Sequence, residues 1–250
     1  MSEDRAPLQR TTEDTVYQGR VTLFQPEDGF RAGFDSLALA AALPALDKGE
    51  ALELGCGSGG ALLPAAFRLS CVHFTGVEQD AAAAARAREG AAQNAFAERI
   101  VIETAEASGW AAARENRFDL VFANPPYFEP GKISAPGEGK AGAYIESLPL
   151  DGWVKAMLFA AKPRAPVILI HRAAELARLL AQLDRQAGEI TVLPMASKAD
   201  EPARRVLVRA RKGLKRGPLT LLAPLVTHEP DGSARTPAAQ AIVEGLGIDW

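Results

Sequence analysis

Short apolar runs alternate with Ala- and Leu-rich stretches of helical period along most of the chain. Residues 51–54, 72–77, 100–102, 118–123 and 166–170 are apolar segments bounded by Gly, Pro or acidic residues, which is how buried strands read. Between them, 61–68, 80–94, 106–115 and 150–161 suit helices, with Asp80 as an N-cap. Residues 173–186 form a further helix with Leu176, Leu179, Leu180 and Leu183 on one face. Strands separated by helices predict an α/β fold with a parallel, doubly wound sheet. Strands at 190–193 and 205–211 have only a polar loop between them and predict an antiparallel hairpin at one edge.

The ends of the chain carry weaker patterns. Residues 1–16 are charged and poor in large apolar groups, which predicts a flexible tail. Residues 21–24 suit a short strand, 25–29 a turn, and 37–43 a helix with Asp35 or Ser36 as N-cap. Residues 219–226 read as extended. Thr236 and Pro237 fit the N-cap and first position of a last helix. The expectation is one domain over 17–250, with an N-terminal segment 17–45 and a C-terminal extension 212–250 attached to its core.

Composition narrows the class. At 250 residues and 48% hydrophobic content the chain can bury a sizeable core, and a net charge of −3 leaves nucleic acid neither favoured nor excluded. Cys56 and Cys71 lack metal-ligand spacing, and His73, His171 and His228 are scattered, so no metal site is expected. No apolar run reaches the ~18 residues of a membrane span, and the polar start is no secretory signal. A cytoplasmic, soluble protein is expected, its oligomeric state open between monomer and weak dimer.

Two motifs carry chemistry. Glu53-Leu54-Gly55-Cys56-Gly57-Ser58-Gly59 is a strand running into a glycine turn ahead of a helix. Such glycines allow close backbone approach to a ligand. Gly55, Gly57 and Gly60 also satisfy G-x-G-x-x-G, so a dinucleotide stands as a second reading. Glu53 would oppose a pyrophosphate and suits an amino-bearing ligand better. Glu78, at the end of the next strand, is placed to accept hydrogen bonds from ribose hydroxyls in either case. Cys56 reads as a small packing residue.

Asn124-Pro125-Pro126-Tyr127 follows the strand at 118–123 and is neither helix nor central strand. Open α/β sheets bind ligands at this end of their strands. The Asn124 side-chain oxygen and the Pro125 carbonyl are acceptors, and Tyr127 supplies a ring. Together they suit a planar group carrying an NH₂, whose methylation needs positioning and electrostatics rather than a strong base.

On these residues the chain resembles the class I S-adenosylmethionine-dependent methyltransferases that modify nitrogens conjugated to planar systems. The resemblance implies a Rossmann-like, seven-stranded sheet with its last strand antiparallel, in line with the hairpin. With Gly29-Phe30-Arg31, Asp35-Ser36-Leu37, Asn-Pro-Pro-Tyr-Phe, Pro218 to Leu222 and His228-Glu229, it looks like the bacterial tRNA (adenine-N6)-methyltransferase family that acts on a valine tRNA. That resemblance implies S-adenosyl-L-methionine as cofactor, held by Gly55, Gly57, Glu53 and Glu78, with Asp35 near its amino-acid end and segment 17–45 covering it. It places Asn124, Pro125 and Tyr127 at the target base, with Asn124 also facing the cofactor. The family carries an acid for the cofactor adenine where this chain has Ala105, and Glu106 is the candidate substitute.

From 203 to 217 the chain holds Arg204, Arg205, Arg209, Arg211, Lys212, Lys215 and Arg216 with no acid. As a strand, Arg205, Leu207, Arg209 and Arg211 share one face and Val206, Val208 and Ala210 the other. Arg204, Arg205, Arg209, Arg211 and Lys212 are therefore candidate contacts to tRNA phosphates, the alternative being a charged edge strand. Lys132 and Lys140, on a Gly- and Pro-rich stretch expected to be mobile, could add to them. The reading is transfer of methyl to an adenine N6 in tRNA. Protein-glutamine N5 and rRNA guanine-N2 methylation remain alternatives, because the same socket accepts a carboxamide or a guanine amine.

Overall fold

A computed structural model describes residues 10–28, 31–127 and 148–250. Its centre is a nine-stranded sheet. The core strands in chain order are β3 (Gly49–Leu54), β4 (Val72–Glu78), β5 (Ile100–Thr104), β6 (Leu120–Ala123), β7 (Pro166–Arg172), β8 (Ala187–Ala196) and β9 (Arg205–Lys212). Their spatial order is β5-β4-β3-β6-β7-β9-β8. The pairs among β3 to β7 are parallel, while β9 is antiparallel to both β7 and β8. Two-residue strands β10 (Thr220–Leu221) and β11 (Leu225–Val226) extend β8. The seven-stranded sheet with an antiparallel last strand is thus present, with two short additions.

The β8–β9 hairpin forms at one side of the core sheet as expected, with β9 as its inner strand, so the alternative of a charged edge strand at 205–211 does not hold. Val206, Val208 and Ala210 are buried on one side and Leu207 on the other. A strand apolar on both faces is stable only inside a sheet covered on both sides.

Helices α1 (Phe34–Ala42), α2 (Leu62–Arg68) and α3 (Ala81–Gln93) cover one face of the sheet, and α4 (Ala107–Ala111), α5 (Leu150–Ala160) and α6 (Leu176–Leu183) the other. Asp80 caps α3, accepting from the amides of Ala82 and Ala83. Helix α7 (Pro237–Val243) packs against α1, capped as expected by Thr236, which accepts from the Ala239 amide.

The flexible tail expected over 1–16 is ordered from Thr11. β1 (Thr11–Val16) pairs with β2 (Val21–Pro26) as a hairpin around the turn at Tyr17–Arg20. Its residues are too polar to read as a strand, and polar contacts hold it. Gln25 donates to Asp14 at 2.8 Å, and Arg31 pairs with Asp14 and donates to Thr12 at 2.8 Å. The Ala32 amide donates to Gln25 at 2.6 Å. This network fixes the entry into α1.

Helix α1 is capped at its far end by distant residues. Arg68 donates to the Ala40 carbonyl, the Ile248 amide to Ala41 at 2.8 Å, and the Trp250 indole to Ala42 at 2.8 Å. The Arg209 guanidinium lies 4.7 Å from the Trp250 ring centroid. The last carbonyls of a helix need such donors. Its N-cap is Gly33, which offers no side-chain cap, so neither Asp35 nor Ser36 caps it. Asp35 lies in the first turn, and its carboxylate is engaged elsewhere.

Candidate active site

The C-terminal ends of β3, β4, β6 and β7 form one rim. At β3 the chain enters the glycine turn. Gly55 has φ +70°, and a Cβ there would lie 2.6 Å from the Trp153 ring of α5. Glycine is required twice over, by the left-handed backbone and by the indole behind it. The Gly55 and Cys56 amides donate to the Val77 carbonyl, and the Gly57 amide donates to Glu78 Oε2 at 2.9 Å. A Cβ at Gly57 would meet nothing within 4 Å, so this side of the turn is open. Ala32 covers the turn from the other side, since a Cβ on Gly60 would lie 2.5 Å from its Cβ.

Glu53 forms the floor. Its side chain is 2% exposed, and one carboxyl oxygen, Oε2, has no partner. Burial first, then the nearby Glu78 charge, push its carboxyl well above the usual carboxylate range, against a hydrogen bond from the Leu62 amide. A buried carboxyl with an orphaned oxygen under an open glycine turn fits a cationic amino group. The Glu78 oxygens accept from Gly57 and Asp80 amides. A carboxylate has about four lone-pair directions, so the Glu78 oxygens keep capacity for hydroxyl groups.

The acceptor side is built on β6. Leu54 pairs with Ala123, which sets Asn124 beside Gly55 across adjacent parallel strands. The Tyr127 hydroxyl lies 2.9 Å from Asp35 Oδ2 and 3.0 Å from Asn124 Oδ1. Arg205 Nε donates to the same Asp35 oxygen at 2.8 Å, and its guanidinium sits 4.5 Å from the Tyr127 ring centroid. His171, at the end of β7, meets the Tyr127 ring edge-on at 5.2 Å. Burial, then the Asp35 charge, raise the Tyr127 phenol above its ordinary value, so it stays protonated. Burial and then the Arg172 charge push His171 down to about 4, so its ring is neutral near pH 7. Burial disfavours the Arg205 cation, but Asp35 and Tyr127 together outweigh it.

The comparisons with known proteins agree with this geometry. The methyltransferase small domain family matches residues 31–136. A tRNA1(Val) (adenine(37)-N6)-methyltransferase of Dickeya chrysanthemi is 33% identical over 186 residues, covering 73% of each chain. The chain belongs to the tRNA1(Val) (adenine-N6)-methyltransferase family. It is an S-adenosylmethionine-dependent methyltransferase. A relative of the same name from Salmonella arizonae is 37% identical over 119 residues, about half of either chain. Among solved structures, a predicted O-methyltransferase from Agrobacterium tumefaciens is 26% identical with a TM-score of 0.71, covering 86% of this chain and 98% of its own. A T. thermophilus 16S rRNA N2 methyltransferase is 18% identical with a TM-score of 0.56, over 83% of this chain and 51% of its own, a likeness of fold.

Several expected site residues are brought together and others are not. Asp35, Glu53, Gly55, Gly57, Glu78, Asn124, Pro125 and Tyr127 share the rim. Glu106, suggested as the adenine contact beside Ala105, is the N-cap of α4. Its carboxylate caps α4, accepting from the Ser108 and Gly109 amides at 2.8 and 2.7 Å and from the Ser108 hydroxyl at 2.9 Å. The basic stripe is divided. β9 runs from the rim, where Arg205 pairs with Arg172, to the opposite end of the sheet, where Arg211 pairs with Pro166. That is about 20 Å along the strand. Lys212 donates to the Phe159 and Ala161 carbonyls and to Asn116, and Arg211 to the Arg164 carbonyl. Arg209 faces Trp250. Only Arg204 and Arg205 lie at the rim, and Arg205 is held by Asp35. Lys132, Lys140, Phe128 and the stretch 128–142 lie outside the described residues, as do Gly29 and Phe30. His171 and Trp153 are site residues that the sequence reading missed. A histidine closing an apolar strand at the ligand-binding end was a usable signal for the first.

Proposed function

We propose that this methyltransferase transfers the methyl of S-adenosyl-L-methionine to the exocyclic N6 amine of an adenine in tRNA, in the cytoplasm. The observation that carries the reading is the Leu54–Ala123 pairing, which puts the Asn124 acceptor next to the glycine turn. The names of the relatives support the substrate. When bound, the cofactor supplies an electrophilic methyl on a sulfonium. Gly55 and Gly57 line its methionine and ribose, Glu78 accepts from the ribose hydroxyls, and Glu53 and Asp35 face its amino-acid end. The Asn124 side-chain oxygen and the Pro125 carbonyl accept from the two N6 hydrogens and draw the nitrogen lone pair out of conjugation. Tyr127 stacks on the base, which must first leave its own stack in the tRNA. Exposed Arg204 at the rim contacts phosphate.

Among the described residues no helix is long and apolar enough to cross a membrane, and no group of His, Cys, Asp and Glu could hold a metal. Mass analysis of nucleosides from tRNA incubated with the protein and S-adenosylmethionine tests the reading. N6-methyladenosine is expected, and its absence, or a methyl found on a ribose hydroxyl, defeats it. Asn124→Ala should reduce transfer at least about 100-fold while cofactor binding persists. A variant as active as the parent would remove Asn124 from the mechanism.

A further inference from the structure

We propose that Arg205 is a positioning residue of the acceptor socket, holding Asp35 and Tyr127 so that the Asn124 oxygen stays available, and that it is not a contact to RNA. This rests on the reading that Asn124 and Tyr127 receive the substrate amine. The Tyr127 hydroxyl has one proton and two oxygens within reach, Asp35 Oδ2 at 2.9 Å and Asn124 Oδ1 at 3.0 Å. If the proton goes to Asn124, the amide oxygen is taken by its own neighbour three residues on. A carboxylate makes the stronger, charge-assisted hydrogen bond. Asp35 therefore draws the proton away from Asn124, provided that the carboxylate is charged and held in place.

Arg205 meets both conditions. Its Nε donates to the same Asp35 oxygen at 2.8 Å, and its planar guanidinium covers one face of the Tyr127 ring at 4.5 Å. An ammonium has no flat face and no fixed in-plane donor, so lysine cannot do both. His171 takes the ring edge. Among the described residues no second ring and no second cation is stacked on the Tyr127 ring. The order of polarity is Arg205 cation, Asp35 anion, Tyr127 hydroxyl, and then an unencumbered Asn124 oxygen. Arg205 comes from β9, at a site where a strand end meets the first turn of α1, and is half-buried with its Nε committed to Asp35, whereas Arg204 beside it is exposed.

The test compares the parent with Arg205→Gln and Arg205→Lys. Arg205→Gln should reduce kcat on the order of 10- to 100-fold, as expected for a displaced reacting group, with a smaller change in the Kd for S-adenosylmethionine, felt only through Asp35. Arg205→Lys, which keeps the charge without the flat face, should recover only part of kcat. The slope of log Kd for tRNA against log salt should equal that of the parent, because a lost phosphate contact lowers it by about 0.7–0.9. A lowered slope with normal kcat would make Arg205 an RNA contact and overturn the proposal. The clamp can also be read without any substrate, by NMR of protein labelled with ¹³C-tyrosine. The Tyr127 ring signals should move in Arg205→Gln, and unmoved signals overturn the clamp even if no tRNA is methylated. A parent that binds cofactor, shows the clamp and modifies no tRNA would count against the substrate reading alone.

Discussion

Lowering the pH from 7 to 5 should destabilise this protein by about 2 kcal/mol through His171 alone. The ring is 3% exposed, and burial holds its pKa near 4 in the folded chain against 6.5 in a free one. The groups facing it are Arg172 on its own strand, Glu175 just beyond, Arg205 on β9 and the Pro126 carbonyl, and burial with the two arginines outweighs the others. A lowered folded pKa means that the unfolded chain takes the proton first. The contribution to stability is therefore complete above about pH 6.5 and is lost as the pH falls towards 4. At 1.36 kcal/mol per pKa unit the loss is limited to about 3 kcal/mol, of which roughly 2 has accrued at pH 5. Urea denaturation of the parent and of His171→Phe, at pH 7.5 and pH 5, isolates this part, since the phenyl ring keeps an edge against Tyr127 but cannot titrate. The difference in unfolding free energy between the two proteins should change by about 2 kcal/mol in favour of the variant at pH 5. A difference that stays constant within about 0.5 kcal/mol would show that His171 is solvated, and a change in favour of the parent that it is charged in the folded chain.

Two further substitutions test the frame of the site. Gly55→Ala should destabilise the fold by about 2–4 kcal/mol, from a left-handed alanine and the overlap with Trp153, and should weaken cofactor binding; a thermal melt and a binding isotherm read both. Glu106→Ala should cost about 1 kcal/mol as a lost helix cap and leave the Kd for S-adenosylmethionine unchanged, whereas a large loss of cofactor affinity would restore Glu106 to the adenine contact.

The parallel half of the sheet was legible because its strands are short and apolar, and the two that carry the main motifs, β3 and β6, run into glycine and proline turns. Gly55, Glu78 and Asn124 follow from that pattern, since strand ends in such a sheet gather at one rim. The role of the basic residues was not legible. Alternation along 205–211 tells which side chains share a face, and it does so correctly. It does not tell which way the strand runs or what lies opposite, so residues that share a face were read as one surface while the strand carried them to opposite ends of the sheet. The β1 strand was hidden for another reason. Asp14, Gln25 and Arg31 stabilise it through mutual polar contacts, and no hydrophobic period records such contacts. Glu106 shows that a carboxylate just after a strand can also be a helix cap, since the amides of Ser108 and Gly109 bond to it at the start of α4.

The two ends of α1 are fastened to the same face of β9. Arg205 holds Asp35 in the first turn, and Arg209 backs the indole of Trp250, which is bonded to the Ala42 carbonyl at the other end. Such a helix behaves as a strut with no freedom to slide. One residue of helix is 1.5 Å of axial travel, enough to break the contact of Asp35 with Tyr127. The axial setting of Asp35 therefore depends on Trp250, two hundred residues later in the chain and outside the catalytic rim. Damage to that indole would reach the acceptor socket as a mechanical displacement along the helix, without any change in the residues that touch substrate.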